Sequence, residues 1–203
     1  MKPGRRALGV AESYRGTDGT ATSTLAGAVV RADRAVEDFC FGHCTVGGRD
    51  ATDGILELWD GLDRPDVRYL FLAGIAPAWY NVVDLRRLGR AIDRPVISVS
   101  FEESDGLEGG ITEAFDGGDR RGRLETYRAL PERRRLGDRD RDGGGEGPLF
   151  VRSVGLDPPR AEDVVEAYTE TRRPEPLRVA KRLARRVDAA RREGAIVPED
   201  RRG

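Results

Sequence analysis

The sequence has few cysteines and few aromatic residues, and the shortage of cysteine excludes one class of protein. Its two cysteines, Cys40 and Cys44, are too few for a disulfide framework. They lie four residues apart on a predicted strand, roughly 13 Å at about 3.3 Å per residue, which is too far for a bond between them. Reduced thiols are typical of cytoplasmic proteins. We therefore expect a cytoplasmic protein with reduced cysteines.

Long apolar runs are also absent. No run approaches the length that crosses a bilayer, and the first residues, MKPGRRALGVAES, contain basic residues but no apolar core before Glu12. We therefore expect a protein that is neither secreted nor bound to a membrane. A length of 203 residues is enough for one domain, 1–203, with a real core.

Lysine is the scarcest of the charged residues. The chain has 35 basic and 36 acidic residues, and among the basic ones only Lys2 and Lys181 are lysine. Coding bias or a salt-rich cytoplasm explains such a preference for arginine. Phosphate recognition explains it as well, because the guanidinium fork matches phosphate oxygens. Composition alone leaves these explanations open.

Three strands with short connections open the chain, and a parallel unit follows them. The runs RALGVAES, TSTLAGAVVRAD and AVEDFCFGHCTV predict an antiparallel meander. A helix is predicted from Asp50, with apolar residues at helical spacing. The near-continuously apolar VRYLFLAG and RPVISVSF predict buried parallel strands, with the helix NVVDLRRLGRAI between them.

The second half adds helices around one more strand. Residues 107–130 predict helical pieces broken by DGGDRRG, and the charged, glycine-rich segment 133–148 predicts a mobile loop. A strand, LFVRSVGL, a helix, RAEDVVEAYTE, and a basic helix over 174–193 complete the chain. The last helix has an apolar stripe at Leu177, Ala180, Ala184 and Val187. The order predicts an α/β fold of the ribonuclease H-like class: a mixed sheet with an antiparallel meander, parallel βαβ strands and helices on both faces. Phosphate-binding glycine motifs are missing, which disfavours a doubly wound nucleotide-binding fold.

Acidic residues stand where such a fold gathers carboxylates for divalent ions. Glu12 ends the first strand, Asp50 and Asp53 begin the first helix, and Asp84 begins the next one. Hard oxygen ligands suit Mg²⁺ or Mn²⁺, and paired ions activate water against a phosphodiester. We predict Glu12, Asp50 and Asp53 as metal ligands and Glu12, Asp50 and Asp84 as catalytic residues. Asp50 and Asp84 also have the positions of ordinary helix caps, so this alternative stays open.

Basic and aromatic residues suggest a nucleic-acid surface. Arginines crowd the last helix and could neutralise phosphates, although charged runs are more often a solvated helix face. Trp79 and Tyr80 could stack on an unpaired base, although they could equally belong to the core. We predict that the nucleic-acid contacts are made by Trp79, Tyr80, Asn81, Arg178, Lys181 and Arg182.

Metal and nucleophile motifs based on the single histidine are excluded. On a strand His43 points away from Cys40 and Cys44, so the run CFGHC is not a zinc site. A serine triad lacks its motif, and a Cys–His pair from neighbouring strand positions has the wrong geometry.

Several blocks of the sequence resemble the endonuclease dU family, which is related to endonuclease V. The resemblance covers roughly residues 7–101 and 149–187. It implies a ribonuclease H-like, metal-dependent endonuclease that nicks DNA containing deaminated bases, deoxyuridine in particular. The blocks are GVAESY, GGRDATDGI, FLAGIAPAWYNVVD, RPVISVS, VRSVGL and PEPLRVAKRLA, of which NVVD together with PEPLR is specific.

The resemblance also shows where the chain departs from the family pattern. Ala11, Gly47 and Ala73 stand where the pattern has acids, whereas Glu12 and Asp50 match it. Two hypotheses follow. The chain is a Mg²⁺- or Mn²⁺-dependent endonuclease that acts on DNA containing damaged bases and whose metal site uses the remaining acids, or it is a catalytically weak or inactive relative that binds nucleic acid.

Overall fold

The computed structural model describes residues 2–14, 16, 21–136 and 148–195. They form one sheet with helices on both faces, as the sequence predicts. The strands are β1 (Arg6–Glu12), β2 (Thr22–Arg31), β3 (Val36–Thr45), β4 (Val67–Ala73), β5 (Val96–Ser100), β6 (Arg134–Leu136) and β7 (Leu149–Val154). The helices are α1 (Ala51–Leu62), the single turn α2 (Pro77–Tyr80), α3 (Leu85–Ile92), α4 (Glu108–Ala114), α5 (Gly117–Arg128), α6 (Pro158–Ala167) and α7 (Glu175–Arg192).

The sheet has the strand order β3-β2-β1-β4-β5-β7-β6. The antiparallel meander of β1, β2 and β3 is confirmed, and so are the parallel pairs β1–β4 and β4–β5. Strand β7, however, is antiparallel to β5. The reason is β6, which pairs with β7 as an antiparallel partner and so reverses the direction of β7.

Two stretches of the second half differ from the expectation. The helical pieces are broken at Phe115 and Asp116, whose backbones are extended, so only the first residue of DGGDRRG, Asp116, lies in the break and α5 begins at Gly117 within the segment. The segment expected to be a mobile loop contains β6 at its start. Residues 137–147 of that segment lie outside the described residues.

Strand β4 is apolar because both of its faces are covered. Leu70 and Leu72 face the core under α1 and α3, while Tyr69 and Phe71 face the core under α6 and α7. All four side chains are buried. Alternation along an extended chain sends neighbouring residues to opposite faces, so this strand needs apolar residues at every position.

Cys40 and Cys44 lie on β3 as free thiols, and His43 is exposed between them. Burial raises the pKa of each thiol to about 12, so both remain protonated at neutral pH. Among the described residues, no helix is both long and apolar enough to cross a membrane.

Helix α7 lies directly on β1, and this contact orients the whole carboxyl-terminal helix. Leu177, Ala180 and Ala184 form its buried stripe, as the sequence predicts. At the helix start the backbone of Pro176 touches Gly9 so closely that a Cβ on Gly9 would stand 2.5 Å from the Pro176 carbonyl oxygen. Only glycine leaves room for this approach.

Substituting Gly9→Ala should therefore destabilise the protein. The added methyl group meets backbone atoms, which cannot turn aside, so we expect the free energy of unfolding in urea to fall by about 1–3 kcal/mol. Gly61→Ala is the matched control, because a Cβ there meets nothing within 4 Å. Alanine has the higher helix propensity, so the control should gain up to roughly 1 kcal/mol. Equal effects of the two substitutions would contradict the close contact.

Candidate functional site

The carboxyl ends of β1, β4 and β5 meet at one edge of the sheet, because the three strands are parallel. We call this the carboxyl edge. A cleft there is lined by Glu12 and otherwise by apolar or glycine residues, with no second acid among the described residues that line it. The lining residues are Val10, Ala11, Glu12, Leu25, Ile55, Leu72, Ala73, Gly74, Pro77 and Val83.

Glu12 is held from two sides. Its Oε1 lies 3.1 Å from the ammonium nitrogen of Lys181, which also donates to the main-chain oxygen of Glu12 at 2.6 Å. Its Oε2 accepts hydrogen bonds from the Ser23 hydroxyl, at 3.2 Å, and from the Tyr14 backbone N–H. Both carboxylate oxygens of Glu12 are thus bound by groups of the protein itself.

Asp50 turns back towards β3 instead of facing the cleft. Its carboxylate accepts hydrogen bonds from the Thr45 hydroxyl and from the Asn81 amide, each at 2.6 Å, and from the Thr45 backbone N–H. Burial raises the pKa of Asp50, but these hydrogen bonds outweigh that effect, so its pKa lies below the ordinary value. Asp50 precedes α1 without capping it, and the Ala51 N–H is satisfied by Asn81 Oδ1 at 2.9 Å.

Asp53 and Asp84 both bind Arg87. Asp53 forms an ion pair with the Arg87 guanidinium, and Asp84 accepts a hydrogen bond from the Arg87 backbone N–H at 2.9 Å. Asp84 is therefore the N-cap of α3, which is the alternative that its position in the sequence left open. Both carboxylates lie between α1 and α3.

The predicted metal ligands do not assemble into a site. Among residues 2–14, 16, 21–136 and 148–195, no group of three acidic, histidine or cysteine side chains could hold a metal ion together. Glu12 binds Lys181 on α7, Asp50 binds Thr45 on β3 and Asp53 binds Arg87. Each of these carboxylates therefore already has a partner within the protein. This donor set does not fit a divalent ion, and we derive no reaction step through one.

The turn α2 carries the two aromatic residues in an unusual backbone conformation. Ala78, Trp79 and Tyr80 have φ values of 48°, 60° and 59°, in the left-handed region. For residues other than glycine this costs roughly 1–2 kcal/mol each. Such a turn persists only where surrounding contacts hold it, and strained segments of this kind cluster at functional sites.

Asn81 is the first of the residues that hold this turn. It is fully buried, and its amide donates to the Thr45 carbonyl at 2.9 Å and to Asp50. Its backbone N–H closes the turn onto the Pro77 carbonyl at 3.1 Å. The sequence predicts that Asn81 contacts nucleic acid, but the structure turns its side chain inward, so it positions the turn and does not face a ligand.

Arg123 is the second residue that holds this turn, and it was not predicted from the sequence. Its buried guanidinium donates to the carbonyls of Tyr80, at 3.1 Å, and Gly48, at 2.9 Å, and also to that of Gly47. It pairs with Asp119 at 2.5 Å. Arg123 thereby joins α5, the turn α2 and the connection between β3 and α1. Its stretch of sequence contains several arginines, and charge patterning does not show which one is buried.

Three aromatic rings, those of Trp79, Tyr80 and Phe115, form a cluster at the turn α2, whose first residue, Pro77, lines the cleft. We call this cluster the rim. The centroid of the Trp79 ring lies 5.1 Å from that of Phe115 and 6.3 Å from that of Tyr80. The Arg123 guanidinium stacks on the Phe115 ring, 3.7 Å from its centroid. Trp79 keeps 38% of its surface exposed. It is therefore neither a core residue nor a loose surface residue, and it presents a fixed ring to solvent. Phe115 was not predicted as part of this cluster.

The basic residues predicted on α7 have different surroundings. Arg178 pairs with Glu175 at 2.6 Å, and Lys181 pairs with Glu12. Arg182 is exposed and lines a groove on the outer face of α7 together with Arg185, Arg186 and Ala189. Three of the four residues that line this groove are arginines.

Replacing Arg123 should loosen the rim. In Arg123→Met the carbonyls of Gly47, Gly48 and Tyr80 lose their donor, and unsatisfied buried groups cost about 1–3 kcal/mol each. We expect the free energy of unfolding to fall by roughly 3 kcal/mol, with a change in Trp79 fluorescence in the folded state. Arg121→Met, an exposed position on the same helix, is the control and should change neither quantity. A fluorescence spectrum unchanged in Arg123→Met would contradict this role.

The lowered pKa of Asp50 makes its contribution to stability depend on pH. A carboxylate whose folded pKa lies below its unfolded value stabilises the fold above the unfolded pKa, about 3.9, and loses this effect as pH falls through the folded pKa. The difference in unfolding free energy between the wild type and Asp50→Asn should be constant from neutral pH to about pH 4 and shrink below it. Asp60→Asn, which removes an exposed carboxylate from the same helix, is the matched control. A difference that grows on acidification would refute the assignment.

Comparisons with known proteins assign the chain to a family. The family model described as endonuclease dU matches residues 3–188. An uncharacterised UPF0215 protein from Pyrobaculum calidifontis is 33% identical over 183 residues, which cover 87% of this chain and 93% of that protein. Another, from Methanopyrus kandleri, is 31% identical over 188 residues and covers 91% of each chain.

Solved structures share the fold. A protein of unknown function from Archaeoglobus fulgidus matches 90% of this chain and 98% of its own, with a TM-score of 0.77 and 25% identity. Endonuclease V from Bacillus subtilis matches 94% of this chain and 83% of its own, with a TM-score of 0.63 and 16% identity. Ciona intestinalis endonuclease V, solved with DNA containing an inosine, matches 90% and 85%, with a TM-score of 0.59 and 14% identity. The predicted ribonuclease H-like fold is thereby confirmed, and the chain belongs to the endonuclease dU family, a relative of endonuclease V.

Proposed function

We propose that this chain binds DNA containing a deaminated base, deoxyuridine in particular, in the cytoplasm. The observation that carries the proposal is the exposed ring of Trp79, fixed by a left-handed turn at the rim of the carboxyl edge. Aromatic rings stack on unpaired or extruded bases, and a ring that is already held in place loses little entropy on binding. Membership of the endonuclease dU family supports DNA as the partner.

The DNA backbone would lie along α7. Arg182, Arg185 and Arg186 line its outer groove, and arginine forks bind phosphate oxygens. Contacts of this kind do not read the sequence or the lesion, so they supply affinity while the rim supplies selectivity.

We further propose that the chain binds such DNA without metal-dependent cleavage of its own. The acid positions of the family pattern are occupied by Ala11 and Ala73 at the carboxyl edge, and the acid present there, Glu12, is paired with Lys181. A divalent ion would have to displace that lysine and would find no second carboxylate among the described residues of the cleft. This corresponds to the hypothesis of a catalytically inactive relative.

The second candidate is a Mg²⁺- or Mn²⁺-dependent endonuclease acting at the same bases. Family membership and the position of Glu12 at the carboxyl edge favour it. In that case Glu12 would leave Lys181, and Asp50 or Asp84 would leave its present hydrogen bonds, when the ion and DNA bind.

One experiment separates the two candidates. Duplexes containing uracil, hypoxanthine or only normal bases are incubated with the protein in Mg²⁺, Mn²⁺ or EDTA, and both binding and strand nicking are measured. We expect tighter binding of an altered duplex, weakened by salt, and no metal-dependent nick. Nicking that needs metal and is lost in Glu12→Gln would establish the endonuclease. Equal, weak binding of all three duplexes would refute recognition of deaminated bases.

The role of Trp79 is tested by truncating the exposed ring. Trp79→Ala should weaken binding of the altered duplex by roughly 5- to 150-fold, the range given by loss of one base–aromatic stack. Phe41→Ala removes a more exposed aromatic ring, on β3, and is the matched control. Affinity for the normal duplex should change little in either variant. Loss of the same size in both variants would show that Trp79 does not recognise the base.

A further inference from the structure

Lys181 is the cation that the carboxyl edge already contains. Its ammonium nitrogen is 2.6 Å from the main-chain oxygen of Glu12 and 3.1 Å from the Glu12 carboxylate. One positive group therefore binds two oxygen atoms of the same residue. Two oxygens of one residue around one charge are the arrangement in which a protein also presents donors to a metal ion.

The surroundings of Glu12 make this partner necessary. Its side chain is only 16% exposed, and that of Lys181 is 25% exposed. The neighbouring cleft residues, such as Ala11 and Ala73, offer the carboxylate no hydrogen-bond donor from their side chains. The Ser23 hydroxyl and the Tyr14 N–H donate to Oε2, but they carry no charge. Removing Lys181 would therefore leave a partly buried negative charge without a cation, which is costly.

The chemistry of the ammonium group suits this position. An ammonium is a compact charge whose three N–H bonds point in different directions, so one nitrogen can donate to a carboxylate and to a main-chain carbonyl. A guanidinium is planar and matches paired oxygens in its own plane. The sequence contains only one other lysine, Lys2, and uses arginine for its remaining basic residues. Position 181 is thus an exception to this preference for arginine.

The fold places the ammonium at the edge without help from a flexible loop. Helix α7 rests on β1 through the contact of Pro176 with Gly9, and Ala180, the residue before Lys181, is fully buried. Lys181 therefore starts from a fixed point of the helix. It extends towards the end of the strand that carries Glu12.

We propose that Lys181 is the resident cation of the carboxyl edge and excludes a divalent ion from Glu12 by occupying its oxygens. It supplies the charge balance that a metal ion would supply to the carboxylate, so the fold of this chain does not depend on divalent ions. The proposal concerns Glu12 and Lys181 alone. It stands whether or not the chain binds deaminated DNA.

Competition between Lys181 and Mn²⁺ for the same place provides the test. Ala73→Asp adds a second carboxylate beside Glu12, since both positions line the same cleft. Bound Mn²⁺ is then measured by its electron paramagnetic resonance signal in the wild type, in Ala73→Asp and in Ala73→Asp/Lys181→Ala. We expect no bound ion in the wild type and at least tenfold tighter binding in the double variant than in Ala73→Asp.

Two results would overturn the proposal. One is Mn²⁺ binding by the wild type that disappears in Glu12→Gln, and the other is equal Mn²⁺ affinity of Ala73→Asp with and without Lys181. If the aspartate variants do not fold, the pairing is tested instead by the unfolding midpoints of the wild type, Glu12→Gln, Lys181→Met and the variant with both of these substitutions. The double variant, which has no charge to balance, should then unfold at a higher midpoint than Lys181→Met, and additive losses would refute the pairing. No DNA enters these measurements, so their failure would leave the proposed recognition of deaminated DNA untouched and would count only against the proposed absence of metal-dependent cleavage.

Discussion

The contact between α7 and β1 is the constraint on which the rest of the structure depends. Gly9 has no side chain, so the backbone of Pro176 lies against the strand and the helix crosses the sheet at short distance. The small buried residues Ala180 and Ala184 continue the same approach. Because the helix is close, Lys181 reaches the end of β1 and binds Glu12 there. Without this contact the carboxylate would keep its hydrogen bonds from Ser23 and Tyr14 but would lose its positively charged partner.

The aromatic rim depends on a different set of contacts, although it borders the same cleft. Asn81 and Arg123 use hydrogen bonds to hold a left-handed turn that its own residues disfavour. The strain of the turn is thus balanced by polar groups that have no access to solvent. The edge combines a neutral ion pair with a rigid aromatic ring.

Periodicity predicted the elements whose side chains alternate or repeat, and it failed where the conformation is set by distant contacts. The meander, the buried β4 and β5 and the apolar stripe of α7 follow from apolar spacing. The edge strand β6 is only three residues long, too short for any pattern. The turn of Ala78 to Tyr80 contains no glycine, so its left-handed backbone has no sequence signal. Glu12 and Lys181 are 169 positions apart, and spacing cannot reveal that one binds the other.

The central claim is that the carboxyl edge of this family member holds an internal ion pair where a metal-binding carboxylate group would stand. A crystal structure of the unmodified protein grown with Mn²⁺, measured at a wavelength that gives anomalous signal from manganese, tests it most directly. The account predicts no anomalous peak near Glu12. It also predicts that the Lys181 ammonium still binds the main-chain oxygen and the Oε1 atom of Glu12. A peak coordinated by Glu12, with Lys181 displaced, would contradict it.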